Sequence, residues 1–227
     1  MVIIHLLNIK TQGQKIREIR KRHKIRQEYV TGNLVTRNLI SMIENDKVNI
    51  SKNTAKIVTE NLNKYFKENK IKDSVEMSYI LKTPKDHLEE EIYYIFQRIE
   101  ESPNLIENDL EEIIIEFEYY FKRYELYNLG YEFFRGLGEK IYKLGYCELA
   151  RDLYIKAFNY YYGEFQLESI LNVIYMIGDL SLKTKNYDDV IKYNRYLFFD
   201  SSIQNSTIYK NIEKNELKAR KFISKDK

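Results

Sequence analysis

Apolar residues recur at every third or fourth position over most of the chain, which is the spacing of an amphipathic α-helix. In residues 35–46, VTRNLISMIEND, this spacing places Val35, Leu39, Ile40 and Ile43 on one side of a helix and leaves the polar residues outside. The 227 residues contain only 8 glycines and 2 prolines, so few residues interrupt the helical pattern. The pattern therefore predicts an all-α protein.

Residues 11–66 divide into short helical pieces, which predict one small domain over residues 1–66. TQGQKIREIRKRH places Ile16 and Ile19 on one face, RQEYV forms a brief second element, and GNLV contains a Gly-Asn turn signal. The segment NISKNTAKIVTENLNKYF then predicts a longer helix with Ser51 as its N-cap. We expect these helices to surround a small common core.

Residues 67–86 show a weaker pattern and predict a linker, although VEMSYIL within them is compatible with a short packed helix. Residues 87–227 return to strong helical periodicity. KDHLEEEIYYIFQRIEE and DLEEIIIEFEYYFKRYEL both carry apolar residues at i, i+3 and i+4, and they predict an antiparallel pair of helices. The chain is therefore expected to have a second, larger helical domain over residues 87–227.

Two stretches of the second domain align with an offset of 40 residues. LGEKIYKLGYCELARDLYIKAF aligns with IGDLSLKTKNYDDVIKYNRYLF, which places Gly138 on Gly178 and Ala150 on Val190. Each copy predicts a helix, a turn and a second helix. This arrangement resembles the tetratricopeptide repeat, and the resemblance implies a solenoid of stacked helical hairpins. A plain helical bundle is the alternative.

Charge is distributed unevenly between the two predicted domains. Residues 1–72 carry 16 Lys and Arg against 6 Asp and Glu, whereas the remaining residues carry 21 against 28. The first part is therefore strongly basic and the second part acidic. A basic module indicates an anionic partner, with nucleic-acid phosphate as the leading candidate and a solvated lysine-rich surface as the alternative.

Residues that commonly carry catalysis or bind metals are scarce. The one cysteine, Cys147, lies on a predicted helix face, and His5, His23 and His87 are far apart in sequence without a metal-ligand pattern. RGLGEK lacks the spacing of a phosphate-binding loop and follows no predicted strand. We therefore expect no metal, no cofactor and no enzymatic activity.

The apolar residues MVIIHLLNI at the start of the sequence are too few to span a bilayer, and they lack a basic leader and a cleavage site. We expect no membrane association and a cytoplasmic location. The glycosylation sequon at Asn205 is interpreted as accidental, because the sequence carries no export signal.

The basic first domain contains a pattern typical of a helix-turn-helix, in which one helix braces a second helix that lies in the major groove of DNA. Residues 27–31 are predicted to form the brace and residues 36–45 the recognition helix. The outward side chains of that helix suit base recognition. We assign Arg37 to guanine, Asn38 to adenine, and Thr36 and Ser41 to either a base or a phosphate.

Four segments, GQKIREIR, RQEYV, NLISMIEND and SKNTAKIVTENL, together resemble the helix-turn-helix family of the lambda-type repressors and the xenobiotic-response-element class. The resemblance implies a lambda-repressor-like fold, a base-reading role for Gln27 and a structural ion pair between Arg20 and Glu44. The sequence departs from the family in a turn, residues 30–35, that is one residue shorter. It also places Asp46 where a glycine usually ends the recognition helix, and Asp can adopt the left-handed conformation at a higher cost.

Phosphate contacts require less strict placement than base contacts. Lys47 and Lys52 flank the recognition helix and the start of the next helix, where Asn53 can offer a backbone N–H to an anion. Arg26 ends the basic run KRHKIR, for which a solvated helix face is the alternative interpretation. These residues are expected to set affinity and its salt dependence without choosing a sequence.

A repressor-type module followed by tetratricopeptide-like repeats resembles the peptide-pheromone-regulated transcription factors of low-GC Gram-positive bacteria, the RRNPP class. The resemblance implies a homodimer that binds double-stranded DNA and a short signalling peptide held by the repeats. Asparagine amides commonly hold the peptide backbone in that family, and the candidates here are Asn128, Asn159, Asn172 and Asn194. This chain has room for fewer repeats than most members. The alternative is a protein-interaction adaptor that sequesters a partner through its repeats without sensing a peptide.

Overall fold

The computed structural model describes residues 7–101, 106–161, 167–196 and 206–225, and these residues form twelve α-helices without a β-strand. The prediction of an all-α protein is thereby confirmed. The first six helices are α1 Gln12–Arg22, α2 Gln27–Thr31, α3 Arg37–Glu44, α4 Lys52–Glu68, α5 Met77–Leu81 and α6 Pro84–Glu101. They are followed by α7 Ile106–Arg123, α8 Tyr127–Lys143, α9 Cys147–Tyr160, α10 Leu167–Lys183, α11 Tyr187–Asn194 and α12 Thr207–Ile223.

The chain divides into two compact units, Met1–Glu90 and Glu91–Lys227, and the division falls inside α6. In the first unit, α5 contributes the fully buried Ile80 to the same core as α1 to α4. Lys15 of α1 is buried as well, and its ammonium group donates to the carbonyls of Tyr79 and Lys82 at 2.9 and 2.6 Å. These contacts hold the segment that follows α4 against α1.

The core of the first unit is built from the apolar faces that the periodicity indicates. Ile16 of α1, Val30 of α2, Ile40 of α3 and Val58 of α4 are all fully buried. Packed around them, α1 contacts α3, and α2 contacts both α3 and α4. Burial of each such side chain contributes about 1.5–3 kcal/mol, so this core fixes the orientation of α3 relative to α2.

The start of α1 and the end of α3 approach each other closely. A methyl group placed on Gly13 would lie 1.8 Å from the carbonyl oxygen of Ile43, so only a residue without a side chain fits there. Asp46, two residues after the last residue of α3, adopts the left-handed conformation with φ of 58°. Its carboxylate accepts hydrogen bonds from the Thr11 hydroxyl and, at 3.2 Å, from the Gln14 amide. Asp46 therefore joins the two helix ends.

Side-chain caps define where three helices of the first unit begin. Thr11, Thr36 and Ser51 each accept a hydrogen bond from the backbone N–H three residues later, before α1, α3 and α4 respectively. The predicted N-cap role of Ser51 is confirmed. Between α2 and α3, Gly32 and Asn33 have φ values of 54° and 64°. Two successive left-handed residues thus bend the chain in the short turn.

Turns of one kind join several successive helices of the second unit. Glu125, Gly145 and Lys185 adopt the left-handed conformation in the α7–α8, α8–α9 and α10–α11 turns. In each turn the next backbone N–H donates to the carbonyl five residues before it, over 2.9, 3.3 and 2.8 Å. The helices α8 and α10 begin and end 40 residues apart, as the internal repeat predicts.

Aromatic rings form the core between α7, α8 and α9. Phe133 of α8 stacks on Phe117 of α7 with a centroid distance of 4.5 Å, and Phe134 packs on Tyr160 of α9 at 5.3 Å. Phe96 of α6 stacks on the same Phe133 at 6.1 Å. Further along the chain, α10 packs against α9, α11 and α12, and α11 packs against α12. Each helix from α7 onward is therefore covered by its neighbours in sequence.

Candidate nucleic-acid interface

The helix α3 has a buried face and an exposed first turn. Ile40 and Ile43 are 0% and 1% exposed, whereas Thr36, Arg37 and Asn38 lie in solvent. Thr36 accepts from the backbone N–H of Leu39 at 3.2 Å, so the exposed residues are fixed at the start of the helix. The helix α2 spans the residues predicted for the brace, and α3 with its two cap residues spans residues 36–45.

A buried ion pair joins α1 to α3. Nε and Nη2 of Arg20 donate to Oε1 and Oε2 of Glu44, both at 2.7 Å, and the Glu44 side chain is 3% exposed. The hydrogen bond to Glu44 raises the pKa of Arg20, while burial acts in the opposite direction. The remaining Nη1 donates to the carbonyl of Ile25 at 3.1 Å. The carboxylate is therefore neutralised and hydrogen-bonded inside the unit, as a buried charge must be.

Gln27 connects this ion pair to the surface of the protein. Its Nε2 donates to Oε2 of Glu44 at 2.9 Å, and its Oε1 accepts a weak hydrogen bond from Nε of Arg37 at 3.5 Å. The amide thus lies between a buried carboxylate and an exposed guanidinium. Since Glu44 accepts from it on one side, the orientation of the amide is determined, and its oxygen faces Arg37.

Arg37 has a second partner on α2. Its Nη1 lies 3.0 Å from Oε1 of Glu28, and the two side chains are 68% and 57% exposed. A pair this exposed contributes little to stability, so its effect is to orient the guanidinium. Sequence reasoning did not select Glu28, because the pairing depends on how the turn between α2 and α3 places the two helix starts. In the sequence, the only indication of this pair was that an acidic residue follows Gln27.

Three further predicted base-reading groups differ in accessibility. Asn38 is exposed and makes no hydrogen bond to a described side chain. Thr36 is exposed and uses its oxygen as the N-cap, which leaves its hydroxyl proton available to a base or phosphate. Ser41 is half-buried on the next turn of α3. The structure therefore groups Thr36, Arg37 and Asn38 at one helix start and leaves Ser41 less accessible.

The predicted phosphate-binding residues lie at helix starts or in the turn after α3. Lys52 and Asn53 are the first two residues of α4, whose first turn carries no acidic residue. Arg26 directly precedes α2, and Lys47 follows Asp46. All four are exposed, and none forms an ion pair with a residue in the described ranges. The free N–H groups at the start of α4 add to the attraction for an anion.

The four candidate asparagines of the second unit lie on four different helices. Asn128, Asn159 and Asn172 are exposed on α8, α9 and α10. Asn172 donates to the carbonyl of Glu168 in its own helix at 3.1 Å. Asn194 is buried, 3% exposed, and its amide donates to the carbonyl of Ile212 at 3.2 Å. The Asn194 amide thus ties α11 to α12.

The histidines do not assemble a site. His23 lies 2.9 Å from Asp73, and His87 is a partly buried residue of α6, while His5 and the sequon at Asn205 lie outside the described residues. Within the described ranges, no three His, Cys or carboxylate side chains are arranged to hold a metal ion. In the same ranges, no helix combines the length and apolarity needed to cross a membrane.

Comparison with known proteins gives no relative from which a function can be transferred. No protein-family model, curated protein or solved structure matches this chain. The function is therefore inferred from the chain's own side chains. The most informative are five that contact one another in a row, namely Arg20, Glu44, Gln27, Arg37 and Glu28.

Proposed function

We propose that this chain is a sequence-specific transcriptional regulator that binds double-stranded DNA as a homodimer in the cytoplasm. In this proposal α2 and α3 act as a lambda-repressor-like helix-turn-helix, and α3 enters the major groove. Arg37 and Asn38 read base edges, with Gln27, Thr36 and Ser41 beside them. Exposed cationic and amide groups around the helix starts contact phosphates, namely those of Arg26, Lys47, Lys52 and Asn53.

The proposal depends chiefly on how Arg37 is held. Gln27 and Glu28 contact Nε and Nη1 of the guanidinium, and its Nη2 has no partner among the described residues. A planar guanidinium held through Nε and Nη1 keeps three N–H donors on Nη1 and Nη2, and its Nη1–Nη2 end is suited to donate two parallel hydrogen bonds to O6 and N7 of guanine. An arginine without a preferred orientation attracts phosphate but does not choose a base.

The buried side of the same helix supports this role. The Arg20–Glu44 pair and the buried Ile40 and Ile43 fix α3 in the unit, so its exposed first turn is presented on a rigid base. Residues 1–72 also carry an excess of ten basic side chains, which suits a phosphate backbone. Rigid placement serves base contacts, which choose a sequence, and a basic surround serves phosphate contacts, which add affinity.

For the second unit, we propose that the helix pairs are tetratricopeptide-like repeats that mediate dimerisation and bind a short signalling peptide. The 40-residue offset between α8 and α10 supports this assignment. The exposed amides of Asn128, Asn159 and Asn172 are candidates to bind a peptide backbone, because an amide carries both a donor and an acceptor. Asn194 takes part in packing α11 on α12 instead.

The test is binding of the full chain to DNA from its own promoter region and to a shuffled duplex of equal length, over a salt series. We compare the wild type with the double variant Arg37→Ala, Asn38→Ala. A Lys67→Ala variant serves as the charge control, because Lys67 is exposed in the last turn of α4, away from the start of that helix.

We expect the double variant to lose its preference for the promoter duplex while keeping a steep salt dependence, and Lys67→Ala to keep the preference. The loss should be about 10-fold or more, since each good bidentate base contact discriminates by about 1–3 kcal/mol. No preference in the wild type at moderate salt would refute DNA sequence recognition. The adaptor hypothesis would then direct the search to protein partners of the second unit.

A further inference from the structure

The last helix of the described chain, α12, carries a row of lysines on its outer side. The row consists of exposed side chains spaced three or four residues apart, which places them on one face of the helix. Its members are Lys210, Lys214, Lys218 and Lys221. This concentration of positive charge is notable because the second unit as a whole is acidic.

Among the residues that the structure describes, the lysines of this row have no ion-pair partner, unlike several other lysines of the second unit. Lys140, Lys156 and Lys183 each contact a carboxylate, those of Glu100, Glu118 and Asp179 respectively. None of the four lysines on α12 forms an ion pair with a residue in the described ranges. Like charges three or four residues apart on a helix repel one another. The row is therefore a surface that gains from an anionic partner.

An apolar side chain lies within the same face. Leu217, one residue before Lys218, is 60% exposed. A phosphate backbone offers this leucine no apolar contact, so nucleic acid would leave it in water. A partner that matches both features carries carboxylates beside exposed apolar side chains.

The chain itself has such a surface on α7. Ile115 and Tyr119, one turn apart, are 61% and 53% exposed. Glu111 and Glu112 lie one turn before Ile115 on the same side, are exposed, and form no ion pair with a described residue. The outer face of α7 therefore combines an apolar centre with free carboxylates at its N-terminal end.

The charges at the N-terminal end of α7 match those of α12 when the helices run antiparallel. With Leu217 placed opposite Ile115, the carboxylates of Glu111 and Glu112 meet Lys218 and Lys221. At the other end of α7, the exposed Lys122 falls opposite Lys210, so the attraction is confined to the Glu111 end. A parallel arrangement would instead place Glu111 opposite Glu213, where like charges repel.

We propose that α12 of one copy docks antiparallel on α7 of a second copy, and that the contact is made twice in a closed dimer. This inference deepens the proposed function, on whose homodimer it rests, by naming the dimer surface. Two equivalent contacts also double the buried area, which matters because a stable interface buries about 1,200–2,000 Å² in total.

The experiment is sedimentation velocity on the full chain over a concentration series, with two charge-reversed variants. One variant carries Lys218→Glu and Lys221→Glu, and the other carries Glu111→Lys and Glu112→Lys. Each variant alone would bring like charges together in both contacts. In a 1:1 mixture, however, the contact between the two reversed faces regains opposite charges. The control is Lys143→Glu with Lys185→Glu, exposed positions outside both faces.

We expect the wild type and the control to be dimeric, each reversed variant alone to dissociate roughly 100-fold more readily, and the 1:1 mixture to recover the dimer. All substituted side chains are exposed, and circular dichroism checks that each variant is folded. A wild type that is monomeric throughout, a reversed variant that stays dimeric, or a mixture that stays monomeric would each overturn the inference.

The same variants distinguish dimerisation through α12 from DNA binding through α12. They also distinguish failure of this inference from failure of the proposed function. If the lysine variant binds every DNA sequence more weakly with no change in sedimentation, the row binds phosphate and the dimer contact is wrong. If dimerisation fails while an Arg37-dependent preference for the promoter duplex persists, the inference falls and the proposed function stands. If the dimer obeys the charge swap but shows no DNA preference, the dimer contact stands and the proposed function falls.

Discussion

The guanidinium of Arg37 lies against the carboxylate of Glu28, with 3.0 Å between Nη1 and Oε1, so the first residue of α3 is oriented by the second residue of α2. The nearby carboxylate also offsets the charge of Arg37. Under the proposed function, this contact would favour base reading over general attraction to DNA, since phosphate is attracted by net charge whereas guanine is recognised by paired donors.

Replacing Glu28 by Gln should therefore change specificity more than stability. We expect Glu28→Gln to bind unrelated DNA severalfold more tightly, because one negative charge has been removed from the interface. Discrimination at the base pair that Arg37 is proposed to read should fall by roughly 10-fold, because the guanidinium is less firmly oriented. Fluorescence anisotropy with the promoter duplex, a guanine-substituted duplex and a shuffled duplex measures both effects.

The matched control for this substitution is Glu60→Gln on α4. Glu60 is 62% exposed and lies 4.0 Å from Lys56, so the variant removes the same charge from the same unit without touching Arg37. Equal changes in discrimination for the two variants would show that Glu28 acts only through the net charge.

The buried Glu44 carboxylate is expected to be important for the stability of the first unit. Glu44→Ala leaves Arg20 without its partner in a nearly dry site, and loss of one member of a buried pair costs about 3–5 kcal/mol. Urea denaturation measures the free energy of unfolding. A double variant, Arg20→Met with Glu44→Leu, removes both charges and should recover most of the loss. A cost below about 1 kcal/mol for Glu44→Ala would contradict the buried-pair interpretation.

Adding a methyl group at Gly13 should separate α1 from α3. The added carbon would meet the Ile43 carbonyl oxygen at 1.8 Å, and this oxygen belongs to the backbone, so the helices must shift. We expect Gly13→Ala to lower the free energy of unfolding by about 2–3 kcal/mol. Gly178→Ala is the control, because its added carbon meets nothing closer than 3.6 Å. It should leave stability unchanged or raise it by about 0.5–1 kcal/mol. Similar losses for both variants would contradict the close approach at Gly13.

His87 should make the first unit sensitive to mild acid. Burial, together with the positive charges of Lys15 and Lys82, lowers its pKa from 6.5 to about 4, although Glu90 and Asp86 act in the opposite direction. Between these values the unfolded chain binds a proton that the folded chain does not, so stability falls as the pH is lowered from 6.5 toward 4. The loss is on the order of 1 kcal/mol, since solvent near the ring screens part of the effect.

The comparison for this prediction is His87→Gln, which cannot titrate. The difference in unfolding free energy between wild type and variant, followed by urea denaturation at several pH values, should change only within this window. A difference that stays constant from pH 7 to pH 4 would show that His87 does not titrate as inferred.

Local features of the first unit were predictable from sequence, because they depend on neighbours along the chain. The N-cap at Ser51 and the left-handed residue at Asp46 follow from side-chain chemistry at a helix boundary. The Glu28–Arg37 pair and the Asp46–Thr11 contact were not predictable in the same way. Both depend on the relative placement of two helices, which periodicity does not determine.

The second unit shows the same distinction. The 40-residue offset predicted matching bounds for α8 and α10, because spacing of apolar residues is a local property. It did not predict that Asn194 would be buried against α12, since the helix that covers it lies beyond the aligned stretch. Whether an amide is exposed depends on which residues surround it in the folded chain, so the 40-residue offset alone does not predict it.

The turns at Glu125, Gly145 and Lys185 share one backbone geometry although their side chains have nothing in common. Because the main chain forms the hydrogen bond, the turn does not depend on a particular side chain at its left-handed position. The three turns can therefore diverge in sequence while the helices that they join keep their bounds.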